Sequence, residues 1–201
     1  MSRPAAAPVV AGGPRPARVT VEAVIDTAAR LADIEGIDSV SLTRVASELG
    51  VTQPSIYRHV NGIGELKKAL ALRARELLVA DLTEAAIGRT RDEALRAVAA
   101  AWRRFVHVHP GLYDATDRAV TVGDPDLEAS VERVVRVLAL AMTGYCLALD
   151  EQVHSAWSVR SALHGFVVLE KDAGSPVGSG IDESFDRLVT LLIAGIRSME
   201  S

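Results

Sequence analysis

The 201-residue chain is short of several things at once, and each shortage narrows what it can be. It has one cysteine, Cys146, so no disulfide can close within it, and a reducing compartment is its expected setting. Aromatic residues make up only 4% and β-branched runs are short, whereas alanine, leucine and arginine are plentiful, a composition that favours helix. No apolar run approaches the roughly 18 residues that a membrane-spanning helix needs, so no membrane partner is expected. Met1–Pro16 has no signal-peptide core: positions 4, 8, 14 and 16 are proline and positions 12 and 13 glycine. A cytoplasmic protein is predicted. Positive charge is also in short supply. With 22 Lys and Arg against 26 Asp and Glu the net charge is −4. That argues against a ligand-independent, architectural DNA binder, which needs general basicity. Any DNA contact must come from a local patch.

Signs of catalysis are equally scarce. Gly178-Ser179-Gly180 lacks the spacing of a nucleophile elbow and lies in a loop between helices. There is no phosphate-cradling glycine loop and no carboxylate pair beside a histidine. An all-helical enzyme is therefore the competing reading, and no catalytic residue is assigned. His107 and His109 stand two apart, so a helix points them in different directions. Neither a metal nor a cofactor is implied. Cys146 reads as a small core residue.

What is present centres on Ser41–His59, SLTRVASELGVTQPSIYRH. Ser41 can cap a helix whose apolar face is Leu42, Val45, Ala46 and Leu49. Gly50 stops it, because the residue after a helix often needs a positive φ that glycine adopts without a Cβ clash. Thr52 caps a second, short helix, and Pro54 is tolerated in its first turn, where N–H groups have no helical partner. Ile56 and Val60 point inward. A small residue at the crossing point, a turn glycine four residues on and an aliphatic residue six further make the spacing of a helix-turn-helix. The outward side chains suit DNA better than they suit plain solvation. Gln53, Ser55 and Arg58 are candidates for base edges, and Ser41, Tyr57 and His59 for phosphates, with Thr43 facing the duplex and Thr52 and Pro54 in the same surface. Before this pair, Thr20 caps a helix with Val21, Val24, Ile25, Ala28, Leu31 and Ala32 on one stripe, ended by Gly36. Residues 1–18 read as a disordered basic arm carrying Arg3, Arg15 and Arg18.

These residues resemble the DNA-binding domain of TetR-family transcriptional regulators. The resemblance covers residues 20–75 and rests on Ser41, Ala46, Leu49-Gly50-Val51, Gln53-Pro54-Ser55-Ile56-Tyr57-Arg58-His59-Val60 and Leu66. The Gln-Pro-Ser-Ile-Tyr-x-His-Val run is similar to the tetracycline-repressor branch. The resemblance implies a connecting helix after the loop Asn61–Gly64, preceded by a phosphate-binding lysine. Ile63 stands there in this chain, leaving Lys67 or Lys68 to supply that contact.

Beyond the connecting helix, from Glu65 to about Ile87, the pattern stays helical. Helices are expected over Arg91–His109, from an Asp124 cap to about Ala148, from Asp150 or Glu151 to about Lys171, and over Asp182–Met199, with a short turn or helix beginning at Leu112-Tyr113. Asp172–Gly180 is a Gly- and Ser-rich loop. The last two long helices are apolar on more than one side, which a surface helix does not need. A homodimer burying them in a four-helix interface is expected. Trp157, His164 and Gly165 resemble the WHG signature of a C-terminal domain of TetR-like regulators. That likeness implies C-terminal helices that bind an effector and form the dimer. Trp102, Phe105, His109, Tyr113, Leu138, Tyr145, Trp157 and His164 are the candidate lining of an effector pocket, although each alone also reads as a core side chain. The expectation is an all-α protein: an arm (1–18), a helix-turn-helix head (19–64), and a helical effector-binding and dimerisation domain (65–201). It would be a repressor released from a palindromic double-stranded operator by a small-molecule effector.

Overall fold

The structure, a computed structural model, describes residues 19–173 and 180–200. The basic arm and most of the Gly- and Ser-rich loop lie outside the described residues. Among those described, the chain forms nine α-helices and one 3-10 turn, with no strand: α1 (Val21–Glu35), the 3-10 turn Ile37–Ser39, α2 (Leu42–Glu48), α3 (Gln53–Ile56), α4 (Ile63–Ala86), α5 (Arg91–Val108), α6 (Pro110–Arg118), α7 (Pro125–Ala141), α8 (Leu149–Ala173) and α9 (Ile181–Ser198).

Local chemistry sets the ends of these helices. The Thr20 hydroxyl accepts the Ala23 N–H at 3.1 Å, and the Ser41 hydroxyl accepts the Arg44 N–H at 3.1 Å. Past α2 the Val51 N–H returns to the Ala46 carbonyl at 3.0 Å and the Gly50 N–H to Ser47 at 3.2 Å, with Gly50 at φ +65°. That is a Schellman closure, and a side chain at Gly50 would strain it. Thr52 occupies the N-cap position of α3, but its side chain makes no capping bond; its hydroxyl instead pairs with Ser55 Oγ at 3.0 Å.

Three boundaries depart from the sequence pattern. The connecting helix α4 starts at Ile63, not Glu65, because Glu65 folds back to accept the Asn61 N–H at 2.6 Å. Pro110 opens a full helix, α6, where a short turn was an equal expectation. Helix α7 stops at Ala141, well short of Ala148: the chain turns at Met142–Gly144, where Arg91 donates to the Gly144 carbonyl at 2.5 Å. Tyr145 thereby swings in to donate to Asp92 at 2.6 Å. The same turn carries Cys146 to an exposed position, so it is not a core residue.

Two apolar clusters result. One packs Val24, Leu31, Val45, Ile56, Leu66 and Leu70, and draws in Leu112 and Leu127 from α6 and α7. The other packs Leu82, Val98, Trp102, Phe105, Leu138, Leu163, Val189 and Ile193. Helix α4 enters both, with Leu66 and Leu70 in the first and Leu78 and Leu82 in the second. At about 1.5 Å per residue it is a rod of roughly 36 Å joining head and body. No helix among the described residues is long and apolar enough to cross a membrane.

Candidate functional site

The head presents one polar surface. Ile56 is fully buried and Val60 nearly so, which fixes the roll of the short helix and turns its other side chains outward. Ser41, Thr43, Thr52, Pro54, Tyr57 and Arg58 are exposed, and Gln53, Ser55, His59 and Lys67 are half-buried. All ten residues assigned to DNA from the sequence therefore reach the surface. Their pairing is informative. Thr43 donates to Gln53 Oε1 at 3.2 Å, which leaves the Gln53 amide N–H groups pointing away as donors. Tyr57, Arg58 and His59 make no side-chain hydrogen bond among the described residues.

The surface is braced from behind. Arg44 bonds Glu35 at 2.6 Å and Glu48 at 2.8 Å, and Arg30 bonds Glu48 at 2.7 Å, tying α1 to α2. The two carboxylates hold the Arg44 guanidinium above its ordinary pKa, with Glu35 the larger cause, and the two guanidinium hydrogen bonds, first from Arg30, hold Glu48 below its own. Lys68 is spoken for as well: it contacts Asp124 at 2.7 Å and Asp126 at 2.9 Å, at the start of α7. Lys67 makes no ion pair among the described residues. Of the two lysines offered in place of the residue at Ile63, Lys67 alone is unengaged.

The body holds a second site. Trp102, Tyr113 and His164, all expected from the sequence, converge on a cavity of about 30 Å³ between α4, α5, α6, α7 and α8. Trp102 Nε1 donates to Tyr113 Oη at 3.1 Å, and Tyr113 Oη lies 2.7 Å from His164 Nδ1. With the Trp102 hydrogen on its oxygen, the phenol has its own proton to offer toward His164, whose Nε2 lies 3.6 Å from Asp117. Burial pushes the Tyr113 phenol well above its usual pKa, so it stays a donor.

Five other expected residues lie elsewhere. Phe105 and Leu138 are fully enclosed in the body core and are not in the cavity wall. His109 faces the head, with Nδ1 2.8 Å from Asp33 Oδ2. Tyr145 sits at the far end with Asp92, which the Tyr145 hydroxyl, then Arg197, hold below the usual carboxylate pKa. Trp157 is 43% exposed, with Arg160 stacked 5.0 Å over its ring. Sequence reasoning missed Arg75, whose guanidinium lines the cavity although it is 6% exposed. In the sequence it is one more charge on a helix with Lys67, Lys68 and Arg73; its place on the Leu78 side of α4 was the available signal.

Besides α4, which carries Lys67 at one end and Arg75 and Leu78 further along, a second helix links the cavity to the head. Helix α6 sends Tyr113, Thr116 and Asp117 to the cavity and packs against both α4 and α1. Asp33 of α1 accepts the Leu112 N–H at 2.7 Å, and Arg118 grips Asp38 at 2.5 and 2.9 Å. Gly111 lies so close that a Cβ there would stand 1.7 Å from the Ala32 carbonyl oxygen.

Comparison with known proteins agrees at both ends of the chain. The profile of bacterial regulatory proteins of the tetR family matches residues 24–70, and that of the tetracyclin repressor-like C-terminal domain matches residues 95–192. An uncharacterized HTH-type transcriptional regulator of Mycobacterium tuberculosis is 33% identical over 195 residues, covering 96% of this chain and 89% of that protein. The HTH-type transcriptional regulator YobS of Bacillus subtilis is 29% identical over 180 residues, covering 89% and 93% of the two chains. Among solved structures, a TetR variant from Acinetobacter baumannii in complex with minocycline superposes with a TM-score of 0.68 over 92% of this chain and 99% of that one, at 22% identity. That last likeness is one of fold.

Proposed function

Since the chain belongs to the TetR family of DNA-binding transcriptional regulators, which are not enzymes, we propose that it is a cytoplasmic repressor released from a palindromic operator by a small-molecule effector. Residues 19–64 serve as the DNA-binding domain, with 1–18 as a basic arm, and 65–201 as the effector-binding and dimerisation domain. Two recognition surfaces enter successive major-groove faces, Gln53, Ser55 and Arg58 reading base edges while Ser41, Tyr57, His59 and Lys67 hold phosphates.

The homodimer is supported by what the monomer leaves uncovered. Between α8 and α9 runs a groove of about 200 Å³ lined by Ser155, Val159, Leu192 and Met199 and by Leu191, which is 70% exposed. A second copy of the same pair of helices buries these groups in a two-fold interface. The inner stripe of α9, Phe185, Val189, Ile193 and Ile196, is already committed to the core.

The observation that carries the mechanism is the double attachment of α6. Its cavity is about 30 Å³, room for a water or two, whereas sites for small organic ligands run to about 300–1,000 Å³. An effector of that size binds only a widened form, and widening displaces Tyr113 and Asp117 on α6. The rest of α6 is wedged on α1 at Gly111 with no slack, so the head turns with it. The effector thus prefers the form in which the two heads no longer match the operator, and operator affinity falls by the ratio of its affinities for the two forms. The complex of a relative of this fold with minocycline is a precedent for such occupancy in another protein.

A selected-oligonucleotide binding screen with purified protein tests the reading. One enriched motif with two inverted half-sites is expected, bound by two chains. Enrichment of no sequence, or of a single half-site bound by one chain, overturns it.

A further inference from the structure

The cavity carries a buried charge that no carboxylate among the described residues hydrogen-bonds. Arg75 is 6% exposed, yet it bonds only neutral oxygens: Ser130 Oγ at 3.1 Å, the Thr116 carbonyl at 2.8 Å and Thr121 Oγ1 at 3.4 Å. Arg160, half-buried in the same wall, pairs with no carboxylate among the described residues. Burial first, and then the Arg160 charge, lower the Arg75 pKa, and the opposing pull of Asp117 does not make up for them. Asp117 is the one acidic group in the wall, and its side chain is 45% exposed at the rim, where water screens it. This is not the rule of the molecule. Arg103, with a side chain 15% exposed, is clasped by Glu170 and Asp182. A buried cation without a counter-charge costs stability, and a site that keeps one is suited to receive an anion.

Resting on the regulator reading, we infer that the effector is a small organic carboxylate, its carboxylate bridging Arg75 and Arg160 and its apolar body lying against Leu78, Trp102, Val131 and Val134. A planar carboxylate matches the two-pronged guanidinium, and the buried setting strengthens the pair. His164 and the Tyr113–Trp102 chain close the polar side of the site. The surrounding aliphatic and indole groups disfavour a bare inorganic ion, which offers them nothing to pack against.

Isothermal titration of the full-length protein with acetate, hexanoate and benzoate, each against its own amide, tests this. At least one carboxylate is expected to bind ten times or more tighter than its amide. Arg160→Gln, at a half-exposed position that does not threaten folding, is expected to weaken that carboxylate about tenfold with the melting temperature of the free protein unchanged; Arg75→Gln repeats the measurement from the buried side. Equal affinity for acid and amide, no binding of any of the three acids, or full competition by inorganic phosphate alone each overturns the inference, as does an Arg160→Gln protein that binds like the parent. Operator binding measured on the same preparation separates the two readings. A protein that holds its operator and ignores every carboxylate keeps the regulator assignment and loses this one.

Discussion

The polar face of the head and the cavity of the body treat their arginines in opposite ways. In the head, Arg30 and Arg44 are matched by Glu35 and Glu48, so the polar face in front of them is held rigid before any DNA arrives. In the body cavity, Arg75 is held by neutral oxygens and faces Arg160. The difference marks where each region does its work. The head is a finished surface that needs only to be placed. On the proposed mechanism, a ligand of opposite charge completes the cavity and α6 passes its arrival to the head.

The sharpest way to break the comparison is to separate the two regions where they touch. Gly111→Ala puts a methyl group 1.7 Å from a backbone oxygen of α1, which neither partner can yield without moving a helix. A loss of about 3 kcal/mol is expected in urea unfolding, at the upper end for an overpacked site. An unchanged midpoint would mean that α6 does not wedge against α1 in solution, and the coupling would fall with it.

The next largest effect sets the two shielded arginines against each other. Arg103→Gln leaves Glu170, whose side chain is 11% exposed, with His107 at 3.2 Å as its remaining partner among the described residues, and is expected to cost about 2 kcal/mol, a buried-pair value reduced for residual solvent and for that contact. Arg75→Gln strands no carboxylate, and less than about 1 kcal/mol is expected. Equal losses would erase the distinction between matched and unmatched charge. The same pair predicts an acid-side signature. Arg103 hydrogen bonds hold the Glu170 carboxyl below its ordinary value near 4.5. A lowered folded pKa gives stability that is fully present above that value and is lost as pH falls through the folded one. Unfolding measured from pH 6 down to pH 3 is expected to fall less steeply in Glu170→Gln than in the parent.

On the proposed reading surface, Arg58→Ala removes an exposed side chain with no partner among the described residues. Operator affinity is expected to drop ten- to hundredfold, the worth of about one good base contact, with thermal stability unchanged. A variant that binds the operator as before removes Arg58 from the recognition set.

How far the sequence carried this picture differs between the two regions, for a physical reason. The head is built from local rules: Ser41 caps, Gly50 turns, Ile56 packs back, and each acts within a few residues of chain. Its geometry was legible because those rules have few solutions. The body depends on which apolar stripe meets which, a long-range matter. Trp157 and Leu138 lie on helical apolar stripes just as Trp102 does, yet one is at the surface, one is sealed in the core and one lines the cavity. The early end of α7 was hidden by an apolar run through Leu147, with Thr143-Gly144 the one local hint. Arg75 escaped notice because periodicity finds buried apolar groups and has no means of flagging a buried charge.

The smallest expected effect settles the lysine question left by Ile63. That residue is 40% exposed at the first position of α4, where it offers a phosphate no charge. Lys68 is held by two aspartates, so releasing it to DNA would mean breaking contacts at 2.7 and 2.9 Å first. Lys67 has no such debt. Each phosphate neutralised by a side chain releases condensed counterions, giving a slope of about −0.9 per contact in the logarithm of affinity against the logarithm of salt. Lys67→Ala is therefore expected to make the slope shallower by about one unit per chain and to weaken every sequence alike, while Lys68→Ala leaves the slope as it was. The reverse result would show the α4–α7 ion pairs opening on the operator, and the head would then be less finished than its braces imply.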